Sequence, residues 1–366
     1  MLSIVALIGC SSPPPVTIGI VLNRDGERGA LLAVDDVNAA GGIRGRRLEL
    51  RIMKGSSSTA ARDALVAAES LALDPAILGV VGHTNSAASL AASQVYNEHH
   101  IVQIAPTTTA PLYSSAGPYS FRMVASDAHQ GAFLARLVAA DPAHPRTAVL
   151  YVNDDYGRAL HGTFAQNLSL SGATLVYEAP FEEGVRFVDV ATMAQAIAHT
   201  RPDLLVWLGR PNEFAALIPS LRALAPSIRV LASDGLSNPE IESHPAPAFL
   251  GVTYVRFRDL ANSTPAIRLL DARFRDRWHD AFTDQYCLAY DAVRLLAEAT
   301  SAGGSDRAAV QRYLTSLGRT RPPFQGVLGK IAFDEHGDPN PAYFLAQVTA
   351  SGSKATTFAA WSGSRQ

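Results

Sequence analysis

The chain has 366 residues, 48% of them hydrophobic and 17% charged, enough for one large core or two medium ones, since domains hold roughly 100–200 residues. A formal net charge of -2, with no basic stripe and no aromatic-interleaved Lys/Arg run, lacks the electrostatic footprint of a nucleic-acid binder. Two cysteines, Cys10 and Cys287, exclude a disulfide framework and a cysteine-based zinc site.

In chain order, a short apolar run ends in Leu7-Ile8-Gly9-Cys10 and gives way to Ser11-Ser12-Pro13-Pro14-Pro15, which continues neither helix nor strand. This looks like a bacterial lipobox, with the Cys10 thiol as lipid acceptor and residues 1–15 as signal and tether. Positions 1–9 carry no Lys or Arg, so the expected charged n-region would lie upstream. Downstream, no run approaches the ~18 apolar residues of a membrane span.

Residues 16–22 then read as a buried strand and 29–40 as a helix with apolar residues at helical spacing, stopped by Gly41-Gly42. Strands over 48–53 and 77–81 enclose a helix over 59–73. The alternation continues through helix 86–98, strand 101–104, helix 127–140, strand 146–152, helix 157–171, strand 173–179, helix 187–199, strand 203–208, helix 212–225 and strand 228–232. Strands alternating with amphipathic helices imply a parallel sheet covered on both faces. After a strand over 251–255, helices over 265–282, 285–302 and 306–317 precede a hairpin-like ending over 329–333 and 343–348. Cys287, inside an apolar helical pattern, reads as a core residue.

Three strand-to-helix turns share one build: Ile77 to Ser86, Ile101 to Thr109, and Val149 to Arg158, whose tip presents Tyr156 and Gly157. Each is an apolar run, then small or hydroxyl-bearing residues, then a helix start. Open parallel sheets bind ligands beyond the carboxyl ends of their strands, so these turns suggest a cleft.

The phrases Leu32-Ala33 through Asn38-Ala-Ala-Gly-Gly-Ile43, Gly79-Val-Val-Gly-His83, Phe121-Arg-Met-Val-Ala-Ser-Asp127 with Gln130-Gly131, Asp154-Asp-Tyr-Gly157, Tyr290-Asp291-Ala292, and Phe324-Gln-Gly326 through Asp334 with Gly337-Asp338 span nearly the whole chain. In this order and spacing they resemble the type I periplasmic solute-binding proteins, specifically the branched-chain amino acid (leucine/isoleucine/valine) binding family of ABC importers. The resemblance implies an α/β fold of two Rossmann-like lobes with parallel sheets joined by a three-strand hinge. Lobe 1 would hold residues 16–126 plus 255–332 and lobe 2 residues 127–254 plus 333–366, with crossings near Ala125, Tyr254 and Phe333. Ligand would sit between them and favour their closure.

An amino acid needs donors for its carboxylate and an acceptor for its ammonium. Ser86, at the start of the helix after the third strand, offers a hydroxyl beside a helix N-terminus that favours anions, and reads equally as an N-cap. The resemblance assigns Thr107 and Thr109 contacts to the ligand carboxylate and ammonium, where the plain alternative is a Thr-rich turn. It makes Tyr156 the lobe-2 aromatic that covers the ligand, where the alternative is a Tyr packed on a helix face. It gives Asp234 the ammonium, the alternatives being an Asx-turn before Gly235 or a surface acid. Arg210 is compatible with clamping a second carboxylate, with pairing to Asp234 and removing the ammonium site, or with plain solvation. The segment Asn23-Arg-Asp-Gly-Glu-Arg28 is shorter than the family's usual loop over the ligand and carries charges instead of small and aromatic residues, so part of that lid is expected to be missing.

No Gly-x-Ser-x-Gly elbow, His-Glu-x-x-His, P-loop or Gly-x-Gly-x-x-Gly turn is present, which speaks against an enzyme. His83 three residues before Ser86 is compatible with a general base, but the resemblance makes it a cleft-floor histidine. His99-His100 lack further ligands at metal spacing and read as turn residues, so neither metal nor cofactor is expected. The expectation is therefore a lipid-anchored extracytoplasmic receptor, in the periplasm or on the cell surface, that captures an amino acid or small carboxylate for an ABC permease. A ligand-sensing lipoprotein with a signalling partner is the alternative, and an extracytoplasmic enzyme a more distant one.

Overall fold

The computed structural model describes residues 13–54, 60–184, 187–238, 241, 245–304, 306–340 and 342–363. Cys10 lies outside them. The first sheet contains β1 (Val16–Val21), β2 (Leu48–Ile52), β3 (Ile77–Gly82), β4 (Val102–Ala105) and β5 (Ser120–Arg122), in the order β2-β1-β3-β4-β5 and parallel throughout. All six residues of β3 are buried, which is why this strand reads as a continuous apolar run instead of an alternation. Helices α1 (Arg24–Ala39), α2 (Ala60–Ala72) and α3 (Ser86–Glu98) connect these strands.

The second sheet is built from β6 (Thr147–Val152), β7 (Leu175–Phe181), β8 (Leu204–Leu208), β9 (Arg229–Ala232) and β10 (Thr253–Arg256), all parallel, with α4 (Asp127–Ala139) leading into β6 and α5 (Asp155–Ser169), α6 (Phe187–His199) and α7 (Pro211–Leu224) between the strands. The chain then returns to the first sheet. There α8 (Pro265–Trp278), α9 (Asp284–Gly303) and α10 (Arg307–Ser316) supply Phe274, Tyr286, Leu296 and Val310 to the core beneath Ile18 and Ile20. A separate core around Trp207, Phe164, Phe181 and Phe214 lies under the second sheet. Gly29 of α1 permits the closest approach to α9, since a Cβ there would stand 2.3 Å from the Tyr286 carbonyl oxygen.

Three expectations are corrected. Residues 24–28 are not a loop: Asn23 caps α1 by accepting from the Gly26 N–H at 2.9 Å, and Asp25 and Glu27 in the first turn favour the positive end of the helix dipole. No lid loop therefore stands between β1 and α1. The helix expected to reach residue 282 ends at Trp278, because His279 adopts a left-handed conformation with φ 52° and its N–H closes on Arg275. The expected terminal hairpin does not form between its two strands. Instead β12 (Lys330–Ile331) pairs with β11 (Phe324–Gln325), while β13 (Phe344–Thr349) joins the second sheet between β10 and β14 (Gly352–Thr356), all antiparallel.

Charged side chains fasten the crossings between the sheets. Arg122, fully buried at the end of β5, gives Nε to Asp338 Oδ1 at 2.6 Å and Nη2 to Asp338 Oδ2 at 2.5 Å. At the next crossing, Asp284 at the start of α9 accepts Nη2 of Arg256 at 2.5 Å and Nε of Arg258 at 3.0 Å, together with the Phe257 and Arg258 N–H groups. These cations hold the Asp284 carboxyl at a pKa of about 2 in spite of its burial.

Candidate functional site

The carboxyl ends of β1, β3 and β4 in the first sheet and of the parallel strands β6 to β10 in the second border one space, a cleft of about 730 Å³. From the first sheet come Asn23 and Asp25 after β1, His83 to Ala88 after β3, and Thr107 after β4. From the second come Asp154 and Tyr156 after β6, Glu183 after β7, Arg210 after β8, and Asp234 after β9.

On the first wall, Asn85 and not Ser86 is the N-cap of α3, its Oδ1 accepting from Ala88 N–H at 2.9 Å. That leaves the Ser86 hydroxyl, buried at the cleft, to accept from the Ala110 N–H at 3.3 Å. The N–H groups of Ser86 and Ala87 have no partner inside the helix and belong to its positive end. Thr107 donates its hydroxyl to the Thr84 carbonyl at 2.6 Å, tying the β3 and β4 turns together. Thr109 does not reach the cleft surface. It is buried behind the wall, and its carbonyl accepts from the Asp127 N–H at 2.7 Å, so it joins this wall to the first residue of α4.

On the opposite wall, Tyr156 and Asp234 meet. The phenol lies 2.9 Å from Asp234 Oδ1 and 2.9 Å from Ser233 Oγ, so its single proton goes to one of them, and it accepts from Gly235 N–H at 3.2 Å. Glycine is required at 235, where a Cβ would stand 2.8 Å from the phenol oxygen. Asp234 also accepts Nε2 of Gln130 at 2.8 Å, while its own N–H donates to Gln130 Oε1 at 3.0 Å. Behind it lies Asp127, wholly buried, with the Thr109 side chain beside it. Burial raises the Asp234 pKa against the lowering effect of Gln130 and Tyr156. Burial and then the neighbouring Asp234 drive that of Asp127 well above the ordinary carboxylate range. Gln130, Tyr156 and Ser233 thus tie the two acids into one buried polar cluster that reaches the cleft surface at Asp234.

Arg210 does not pair with Asp234. Its Nη2 binds Asp154 Oδ2 at 2.5 Å and its guanidinium lies 5.7 Å from the Tyr156 ring centre, leaving Asp234 open to the cleft. His83 is buried beneath the floor, where burial lowers its pKa to about 3, and its Nε2 is 3.3 Å from the Tyr96 hydroxyl, so no base faces Ser86 from there. Sequence reasoning quoted Asp127 and Gln130 only within a family phrase and named neither them nor Asn85 as site residues. Asn85 carries a capping signal, Asn85-Ser86 ahead of a helical run, while the other two stand one turn apart on α4 and acquire their role only when β9 brings Asp234 beside them.

A sequence-family model described as periplasmic binding protein matches residues 18–354. The chain belongs to that family. This binding protein is 29% identical over 325 residues to the Leu/Ile/Val-binding protein homolog 1 of Brucella abortus (strain 2308), an alignment spanning 87% of this chain and 84% of the relative. Its fold matches that of the branched-chain amino acid transporter substrate-binding protein LivJ from Streptococcus pneumoniae, solved with isoleucine, at a TM-score of 0.83 and 20% identity over 93% of this chain and 99% of that one. It matches a solute-binding protein from R. palustris, solved with benzoate, at a TM-score of 0.82 and 17% identity over 94% and 96%. The α/β architecture of open parallel sheets is thus that of the type I periplasmic binding proteins, as the sequence phrases implied, and the relatives it matches are named for binding and not for catalysis.

Proposed function

We propose that this chain is an extracytoplasmic receptor, anchored by lipid on Cys10, that captures an amino acid or related small carboxylate between two lobes and hands it to an ABC permease. The lobes are residues 16–126 plus 255–332 and 127–254 plus 333–366. One observation carries the reading: the Asp234–Tyr156 pair, backed by buried Asp127, faces across one cleft the Ser86 hydroxyl and the N-terminus of α3. A zwitterion fits that polarity, its carboxylate on the helix end and its ammonium on Asp234. The names of the relatives, Leu/Ile/Val-binding protein and an isoleucine-bound transporter component, point to the same ligand type.

Titration calorimetry of the purified protein against neutral, basic and acidic amino acids and aromatic or dicarboxylic acids tests this. At least one α-amino acid binds, and Asp234→Asn lowers its affinity tenfold or more, because hydrogen bonds to charged groups contribute ~1.5–3 kcal/mol. Binding confined to acids without an amino group overturns the role given to Asp234.

A further inference from the structure

The chain enters β1 at the end of the first sheet opposite the cleft. The strand begins at Val16, and its other end, roughly 20 Å away at 3.3 Å per residue, leads into the Asn23 and Asp25 of the cleft wall. Pro14 and Pro15, exposed just before the strand, are tied down there. Arg46 donates Nε to the Pro14 carbonyl at 2.6 Å and Nη2 to the Pro15 carbonyl at 2.9 Å. The Val16 N–H closes on the Arg47 carbonyl at 2.8 Å. Cys10 precedes Pro14 by four residues, so a lipid on its thiol holds a bilayer surface within roughly 14 Å of backbone from this point.

The segment that holds this entry is a cationic turn. Arg44 and Gly45, with φ of 52° and 76°, form the tip of a two-residue reversal closed by reciprocal Ile43–Arg46 hydrogen bonds at 2.8 and 3.1 Å, the backbone signs of a type I′ turn. The reversal gathers Arg44, Arg46 and Arg47 around the entering chain, with Arg44 and Arg47 exposed. Their partners do not cancel their charge. Arg44 gives Nε and Nη2 to the Ser301 and Ala302 carbonyls at the end of α9, at 2.6 and 3.2 Å, and the acceptors of Arg46 are the two proline carbonyls. Glu49 is the only acid between Asp36 and Asp63. Around the start of β3, by contrast, Asp74, Glu98 and Asp306 are interspersed with Arg307 and Arg312, so the positive excess is confined to the side on which the chain enters.

An anionic bilayer meets both conditions: it lies within reach of the tether, and its phosphates accept from arginines whose charge is not otherwise neutralised. We propose that the Arg44-Arg46-Arg47 turn docks on anionic phospholipid headgroups beside the lipid on Cys10. This rests on the reading of Cys10 as the anchor. In that posture the cleft, at the other end of the strands, stands clear of the headgroups and open to solute. The test is co-sedimentation of the full chain with vesicles of phosphatidylcholine alone and of phosphatidylcholine mixed with phosphatidylglycerol. Mass spectrometry of Cys10 after expression in a lipoprotein-processing bacterium accompanies it. Taking the ratio of the two partition coefficients cancels apolar binding by the first residues. The expected ratio is at least tenfold in favour of the anionic vesicles. It falls about tenfold or more in the double variant Arg44→Gln with Arg47→Gln, since each arginine near such a surface adds roughly fivefold. It is kept by Arg44→Lys with Arg47→Lys and by Arg136→Gln on α4, with thermal midpoints verifying folding. A ratio near one, or a ratio that the double glutamine variant leaves unchanged, overturns the proposal while the anchor reading stands. Cys10 found without an acyl group removes that reading, and this proposal with it.

Discussion

Asp127 and Asp234 stand on either side of the Gln130 amide, whose Nε2 lies 3.5 Å from the first and 2.8 Å from the second. Both have raised pKa values, Asp127 strongly, because burial disfavours charge in each and Asp127 is also repelled by Asp234. In the unfolded chain the two titrate near 3.9, so between that value and the raised folded ones the native state binds more protons than the unfolded. Stability of the ligand-free protein therefore declines as pH rises through that window. Asp284, depressed to about 2, acts in the opposite sense, its stabilisation being lost as pH falls through that value. Urea denaturation across pH 4 to 7 should show Asp127→Asn removing part of the decline; an unchanged pH slope would remove Asp127 from the account. Little of this cluster was legible in the sequence. Tyr156 was marked by its place after a strand and Asp234 by the family resemblance, but the Gln130–Asp234 contact joins residues 104 apart and the Arg210–Asp154 pair joins residues 56 apart. Which Thr of the run 107–109 faces the cleft depends on a backbone turn that periodicity does not encode.

Helix starts matter to the cleft because its first wall is made of them. Asn85 caps α3 at the point where Ser86 and Ala87 face the open space, so Asn85→Ala should lower stability by about 1 kcal/mol, the usual cost of a lost cap. It should also weaken ligand binding, since the exposed N–H groups lose their fixed direction; calorimetry beside thermal denaturation measures both. A variant destabilised but unchanged in affinity would mean the carboxylate sits elsewhere. The strands were the most readable elements, since parallel strands buried on both faces, such as β3 and β8, appear as unbroken apolar runs. The start of α1 was not. Its apolar periodicity begins near Gly29, and the earlier turn is held by the Asn23 cap and acidic residues that look like loop when read by hydropathy alone. The paired ending of the chain was missed because β13 pairs on one side with β10, far back in sequence, and on the other with β14, which the sequence reading had not marked as a strand.

The chain crosses between its two cores at segments pinned by ion pairs. Arg122 is wholly buried and donates to both carboxylate oxygens of Asp338, to the Ala110 carbonyl at 3.0 Å and to the Ser114 hydroxyl at 2.6 Å. Removing one partner of such a pair strands the other charge, so Asp338→Ala should destabilise the protein by ~3–5 kcal/mol, readable by urea denaturation. A loss within the range of a surface substitution would show that Arg122 finds other partners or water. The two-core organisation was expected from chain length and the family resemblance, whereas the ion pairs at the crossings were not legible, since Arg122 and Asp338 lie 216 residues apart.

The passage from β1 into α1 through Leu22 and Asn23 alone also bears on kinetics. Among the described residues no flap lies between this strand and helix. Under the proposed function the approach of the lobes would then be the gate over a captured solute, entry a diffusional encounter followed by one rigid-body step and escape the same step reversed. Residence time would be set far from the solute, by how readily the crossing segments bend.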